Sequence, residues 1–317
     1  MLRHLFSSAS ALVLMAGCQI NPLECDPACM DSWMDGPMHD DPIHAGDPTI
    51  RLSTRIPNPD SITLRKRVII AVHGYTASTY EWKEFRQYAE NDTSVLVSLV
   101  LLGGHGADLQ DFQNSTWEDW GRPILEEFSA LARMGYGNIS LICSSAGCPL
   151  ILEYVHDRAF DTLPFPRHLL MIDPIVVPTA KLLSAANLIG PLLGNNQNLG
   201  DTPEEQKNWY QNRPAETLAE LYELINLVKN QLENGFRLTP GTRCKVWKSL
   251  HDASVDPVSA LLIYKGLRLA DGSRIEAELV SSKLHVFTRL AGRISATAAD
   301  TILQQRVFGE ILTRIKN

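Results

Sequence analysis

The sequence predicts an α/β protein, with a mostly parallel sheet covered by helices on both faces. Three observations predict it. Short, continuously apolar runs recur along the chain, each fitting a strand buried on both sides. Segments with helical signals alternate with those runs. The chain has 317 residues, 44% of them hydrophobic and 21% charged, enough to bury one large core and too few for more than two domains.

Each element can be justified in order. "RVIIAVHG" (67–74) reads as the first buried strand and "STYEWKEFRQYAEN" (78–91) as the helix after it. "SVLVSLVLL" (94–102) is the second strand, ended by "GGHG". In "STWEDWGRPILEEFSALARMGYG" Ser115 is the expected N-cap, Gly135 the stop, and Pro123 falls inside the helix as a candidate kink. "NISLIC" (138–143) is the third strand, with a helix expected from about Ser145. "HLLMID" (168–173), "TRCKVWKSL" (242–250) and "IEAELV" (275–280) complete the strands. Between about 175 and 240 the alternation breaks. An apolar, turn-rich stretch from Pro178 leads there into the amphipathic helix "AETLAELYELINLVKNQLEN", and we expect a helical cap insertion.

The amino terminus stands apart. "MLRHLFSSASALVLMAGC" has a basic start and an apolar stretch too short to span a bilayer stably, the build of a secretory signal. Its end, "LMAGC", resembles a bacterial lipobox. That resemblance implies a signal peptide over 1–17, lipidation of Cys18, and membrane attachment through the N-terminal lipid anchor in a bacterial cell envelope. Gln19 beside it implies the outer membrane. Residues 18–60, rich in Pro, Asp and Gly, read as a tether to a folded domain over 61–317. His39, Asp40, Asp41 and His44 match no metal-ligand spacing, so an acidic linker is the reading there and no metal is expected. The net charge of −7 argues against nucleic acid as a partner. Five cysteines follow Cys18, an odd number, so at least one lies outside any disulfide within this set. Cys25–Cys29 is a local pairing option and Cys143–Cys148 a strained one.

"CSSAG" (143–147) carries the chemistry. A strand, then x-Ser-x-Gly, then a helix is the setting of a nucleophile elbow, whose sharp turn lifts a serine hydroxyl above the sheet. Ser145 is the nucleophile in this register. The turn brings the residues on either side of the serine together, so both must be small. Gly147 satisfies this, and Cys143 takes the other place. "VIIAVHGYTAS" adds a strand running into His-Gly, where glycine allows a tight turn beside the nucleophile. Acyl transfer needs donors for the carbonyl oxygen as it becomes an anion. The backbone amides of Tyr75 and Ala146 are the expected pair, the latter at a helix start whose positive end favours that charge. His73 is expected to brace this loop and His105 to fix its own loop.

From residue 65 to the end the chain resembles α/β-hydrolases of the carboxylesterase and monoacylglycerol-lipase type. The resemblance rests on "VIIAVHGYTAS", on "LLGGHGADLQDF" with "STWEDW", on "LHDASVDPVSALLIYKGL", and on "SSKLHVFTR", in that order. It implies the α/β-hydrolase fold and a serine hydrolase cleaving carboxylic esters through an acyl-enzyme, with a small-molecule ester or acyl-lipid as substrate and no cofactor. It also implies the order Ser145, Asp252, His285 for nucleophile, acid and base. Asp252 ends its strand directly, while Asp256 and Asp173 stay open as rivals. A thioesterase or amidase would use the same parts, and a noncatalytic envelope lipoprotein is the reading from another class.

Overall fold

Six parallel strands form the central sheet of the computed structural model, which describes residues 59–106, 109–161, 163–179, 196–197, 208–210 and 212–317. The signal segment, Cys18, the tether, Cys25, Cys29 and most of the stretch from 180 to 207 lie outside the described residues.

The strands are β1 (Arg67–Val72), β2 (Val95–Val100), β3 (Ile139–Ser144), β4 (His168–Ile172), β5 (Arg243–Ser249) and β6 (Glu276–Val280). In space they run β6-β5-β4-β3-β1-β2, every neighbouring pair parallel. The chain leaves β1 to one side for β2 and returns to the other side for β3. The carboxyl ends of β1 and β3 therefore flank the point where strand order reverses, where open parallel sheets bind ligands.

Alternation along each strand divides the core. Val68, Ile70 and Val72 of β1, with Leu141 and Cys143 of β3, face one layer of helices. That layer holds α2 (Leu109–Asn114), α3 (Trp117–Arg133), α4 (Gly147–His156), α5 (Ala215–Asn234) and α6 (Val258–Gly266). Ile69 and Ala71, with Ile142 and Trp247, face α1 (Lys83–Ala89) and α7 (Ala298–Lys316). Because both faces are covered at the centre of the sheet, β1, β3 and β4 are apolar along most of their length rather than alternating, whereas the edge strand β6 exposes Glu276 and Ala277. α5 packs against α4 and α6, and its line also meets α2 and α3. Among the described residues no helix is long and apolar enough to cross a membrane.

Two expectations change. Ser115 is not the cap of α3. Thr116 is, accepting from Asp119 N at 3.3 Å, while the Asp119 carboxylate accepts from Thr116 N. Ser115 is buried instead, donating to Phe112 O at 2.7 Å and accepting from Trp120 Nε1 at 2.7 Å. The reciprocal box satisfies two orphan helix donors at once, and both hydroxyls have an acid three residues on, Glu118 for Ser115 and Asp119 for Thr116. Thr116 takes the role because the Ser115 hydroxyl is committed to Phe112 O and Trp120 Nε1. The helix after β3 starts at Gly147, because Ser145 has φ +47° and cannot begin it. α3 continues through Pro123. Proline offers no N–H to the Asp119 carbonyl, and Gly103 packs against that carbonyl so closely that a Cβ there would stand 2.1 Å from it. Cys143, Cys148 and Cys244 are buried free thiols, and the strained Cys143–Cys148 bridge is not formed.

Candidate active site

The site lies at the carboxyl ends of β1, β3, β4 and β5. Ser145 follows β3 at φ +47°, a left-handed conformation that costs energy for any residue with a side chain. It is held by Ser145 N donating to Ile172 O, and by Ser145 O accepting from Cys148 N and Ile175 N. Gly147 is required two residues on, since a Cβ there would meet His73 O at 2.5 Å and Val72 O at 2.9 Å.

The Ser145 hydroxyl lies 2.8 Å from His285 Nε2, and His285 Nδ1 lies 2.8 Å from Asp252 Oδ2. With Nδ1 protonated, the serine donates to Nε2 and the imidazole donates to the carboxylate. The line joins residues 140 and 33 positions apart. Ser145 and Asp252 are buried, while the His285 side chain keeps 28% exposure, so the imidazole can be reached from solvent. Asp252 Oδ1 accepts from the amides of Ser254 and Val255 at 2.8 and 3.2 Å. Burial pushes the Asp252 carboxyl up. The charge and hydrogen bond of His285, then those of Lys248, outweigh it and hold the group well below the usual carboxylate range.

The rivals for the acid are engaged elsewhere. Asp256 caps the start of α6, accepting from Val258 N at 2.9 Å. Asp173, wholly buried at φ +49°, accepts from Ser249 N at 2.6 Å, Ser249 Oγ at 3.1 Å and Val286 N at 3.2 Å. It thereby ties the strand carrying the acid to the loop carrying the histidine. Val286 itself stands at φ +61°, an outlier for a β-branched residue. Arg293 steadies it, donating to His285 O at 3.0 Å and Val286 O at 2.7 Å.

Gly74, which precedes Tyr75, lies against Ser145 and Ala146. A Cβ on Gly74 would lie 3.3 Å from Ser145 Oγ and 3.7 Å from Ala146 N, so the missing side chain leaves room against both. Neither the Tyr75 nor the Ala146 amide donates to another group among the described residues. The Tyr75 ring packs on Phe112 and Trp120, and its hydroxyl bonds Thr217 Oγ1 at 2.7 Å. Burial pushes that hydroxyl well above the usual phenol range. His73 accepts from Leu102 N at 3.1 Å through Nε2 and lies 2.9 Å from Gly74 O through Nδ1, linking the loops after β1 and β2. His105 packs against His73, Phe112 and Trp120, with Nδ1 3.1 Å from Gly103 O. From the predicted insertion, Tyr210 N donates to Thr76 O at 2.9 Å and its ring stacks on Phe112 at 4.6 Å.

Two residues escaped sequence reasoning. Glu81, buried, accepts from Gly74 N at 3.0 Å and from Ser144 Oγ, joining the loop after β1 to the residue before Ser145. Burial pushes its carboxyl up, against the pull of Ser144. Lys248, wholly buried in β5, donates to Asp252 Oδ2 at 2.7 Å. No sequence signal marked it, since Arg243 and Lys245 stand in the same strand. Glu81 gave none, since an acid on a short helix is ordinarily solvated.

No family model matches the sequence. A carboxylesterase from Bacillus subtilis is 21% identical over 218 residues, 68% of this chain and 84% of that one. Among solved structures, a metagenome-derived lipolytic enzyme superposes with a TM-score of 0.58 at 18% identity, covering 79% of this chain and 94% of its own. A soluble variant of monoglyceride lipase from Saccharomyces cerevisiae gives 0.60 at 12%, covering 79% and 86%. The fold of this chain is the α/β-hydrolase fold.

Proposed function

We propose that the protein is a serine hydrolase that cleaves carboxylic esters through an acyl-enzyme. The observation that supports this most is the unbroken hydrogen-bonded line from Ser145 through His285 to Asp252. Ser145 Oγ attacks the ester carbonyl as His285 Nε2 takes its proton. The tetrahedral oxyanion is met by the amides of Tyr75 and Ala146, each such donor typically worth about 3 kcal/mol of barrier. His285 then returns the proton to the leaving alcohol, a water repeats the attack on the acyl-enzyme, and the acid departs. Asp252 holds the imidazole in the Nδ1–H tautomer and stabilises the imidazolium. The resemblance to carboxylesterase in sequence and to lipolytic enzymes in fold points the same way.

The test is labelling with a fluorophosphonate probe together with hydrolysis of p-nitrophenyl butyrate. We expect both in the native protein and neither in Ser145→Ala. Labelling that persists in Ser145→Ala, or a native protein inert to probe and ester, rejects the reading. Attachment to a membrane through Cys18 belongs to the same proposal and rests on "LMAGC". Incorporation of radiolabelled palmitate, abolished by Cys18→Ser, is the expected result in a bacterial host, and unlabelled native protein would remove it.

A further inference from the structure

Lys248 makes three hydrogen bonds in the protein interior: to Asp252 Oδ2 at 2.7 Å, to Asp173 Oδ1 at 3.1 Å and to Ser249 O at 3.1 Å. Its side chain and both carboxylates are wholly buried. An ammonium has three hydrogens to give and a neutral amine two, so three acceptors around Nζ describe the cation. Two ionised aspartates this near each other could not share a buried site without a positive charge between them. Asp252 Oδ2 is also the atom that accepts from His285 Nδ1. The lysine and the imidazole therefore bond one oxygen.

Resting on the reading of His285 as the proton carrier, we propose that Lys248 sets the net charge the imidazole faces. It cancels one of the two buried aspartates, so that the pair presents a single negative charge to His285. Lys248 is thus a positioning and charge-setting residue that acts through Asp252, never touching substrate. With the lysine in place the buried cluster carries one negative charge, which the imidazolium neutralises at the moment Ser145 attacks. Without it two carboxylates would hold a proton on His285, and the resting base would be charged at the pH where it must be neutral. Too little negative charge fails in the opposite sense, since the imidazolium would then form uncompensated.

Of the other groups facing His285, Glu81 and Arg293 stay constant between the variants below, and Asp173 is itself one of the residues changed. Glu81, from the turn after β1, acts on it electrostatically. Arg293, from its own loop, bonds its backbone carbonyl. Asp173 reaches its loop through Val286 N.

The experiment is the pH dependence of kcat/KM for p-nitrophenyl butyrate, measured on the full chain. The acid limb of that profile reports the protonation of the free enzyme's base. In Lys248→Met two negative charges remain, so the limb should move up by about one unit or more. In Asp173→Asn none remains uncompensated and the limb should move down by a similar amount. The charge-balanced double variant should return to within about 0.3 units of the native limb. NMR titration of the His285 imidazole reads the same order with no substrate present. Single variants that lower thermal stability yet keep the native limb would mean a purely structural lysine, and would overturn the proposal. Should Lys248→Met fail to fold, Asp173→Asn decides alone: a lowered limb sustains the proposal and an unmoved one ends it. Ser145-dependent turnover with unmoved limbs rejects only the role of Lys248, whereas absent turnover and labelling reject the esterase reading itself.

Discussion

Replacing Gly74 by alanine perturbs the site by a single methyl group whose position is known. The added Cβ would stand 2.8 Å from Ser145 Cβ and 3.3 Å from its Oγ. Carbon atoms rest at about 3.5 Å or more, so the two backbones must part by about 0.7 Å. Ser145 cannot yield freely, because its amide is tied to Ile172 O and its hydroxyl lies 2.8 Å from His285. Gly74 is also held, its amide donating to the buried Glu81 at 3.0 Å. The strain therefore falls on the serine hydroxyl and on the Tyr75 amide together. A misplacement approaching 1 Å costs about a hundredfold in rate, or about 2.7 kcal/mol of barrier. Forcing a methyl into a packed region costs a further 1–3 kcal/mol, roughly, in stability. We expect Gly74→Ala to lower kcat for p-nitrophenyl butyrate about a hundredfold with a smaller change in KM, and to slow fluorophosphonate labelling in proportion. Gly137→Ala, where nothing lies within 4 Å of the added Cβ, is the control and should match the native protein. A Gly74→Ala enzyme within threefold of native kcat would refute the reasoning that the loop after β1 and the serine turn share one tightly fixed geometry.

Two further outcomes follow from the same structure. Asp252→Asn should lower kcat by about 10³–10⁴, since the wrong imidazole tautomer then faces the serine, while Asp256→Asn should stay near native; steady-state kinetics on the two variants checks this, and the reverse ranking would transfer the acid to Asp256. His168 lies buried against Ser140, and burial, then Arg243, Arg314 and Arg167, pull its pKa from 6.5 to about 4. Its folded-state pKa being depressed, the unfolded chain binds the extra proton between those values, so stability is full above about 6.5 and falls as pH drops toward 4. The loss should be on the order of 2 kcal/mol and should be absent in His168→Gln, as read by urea unfolding at pH 7, 5.5 and 4.5; parallel slopes for the two proteins would contradict it.

How legible the molecule was depends on the range of the interactions involved. The strands β1 to β4 were readable because burial on both faces forces largely apolar runs, and the turns because glycine answers to local backbone geometry. A one-residue error at the start of α3 arose where two hydroxyl residues adjoin. Each has a carboxylate three positions on, Glu118 or Asp119, so the choice rests on the tertiary partners Phe112 O and Trp120 Nε1 that draw Ser115 away.

The chain order of Ser145, Asp252 and His285 is a property of the sequence, as are the paired small residues around the serine. What the sequence left open was which of three aspartates meets the histidine, because that depends on how β4, β5 and the loop before α7 come together in space. The tertiary structure answers by giving each acid a different set of donors. Asp256 caps a helix, Asp173 fastens two loops, and Asp252 alone of the three turns an oxygen toward the imidazole. The buried Lys248 between two of them was beyond any local reading. One cation among the three of β5 acquires meaning only when folding buries it and leaves it two carboxylates for company.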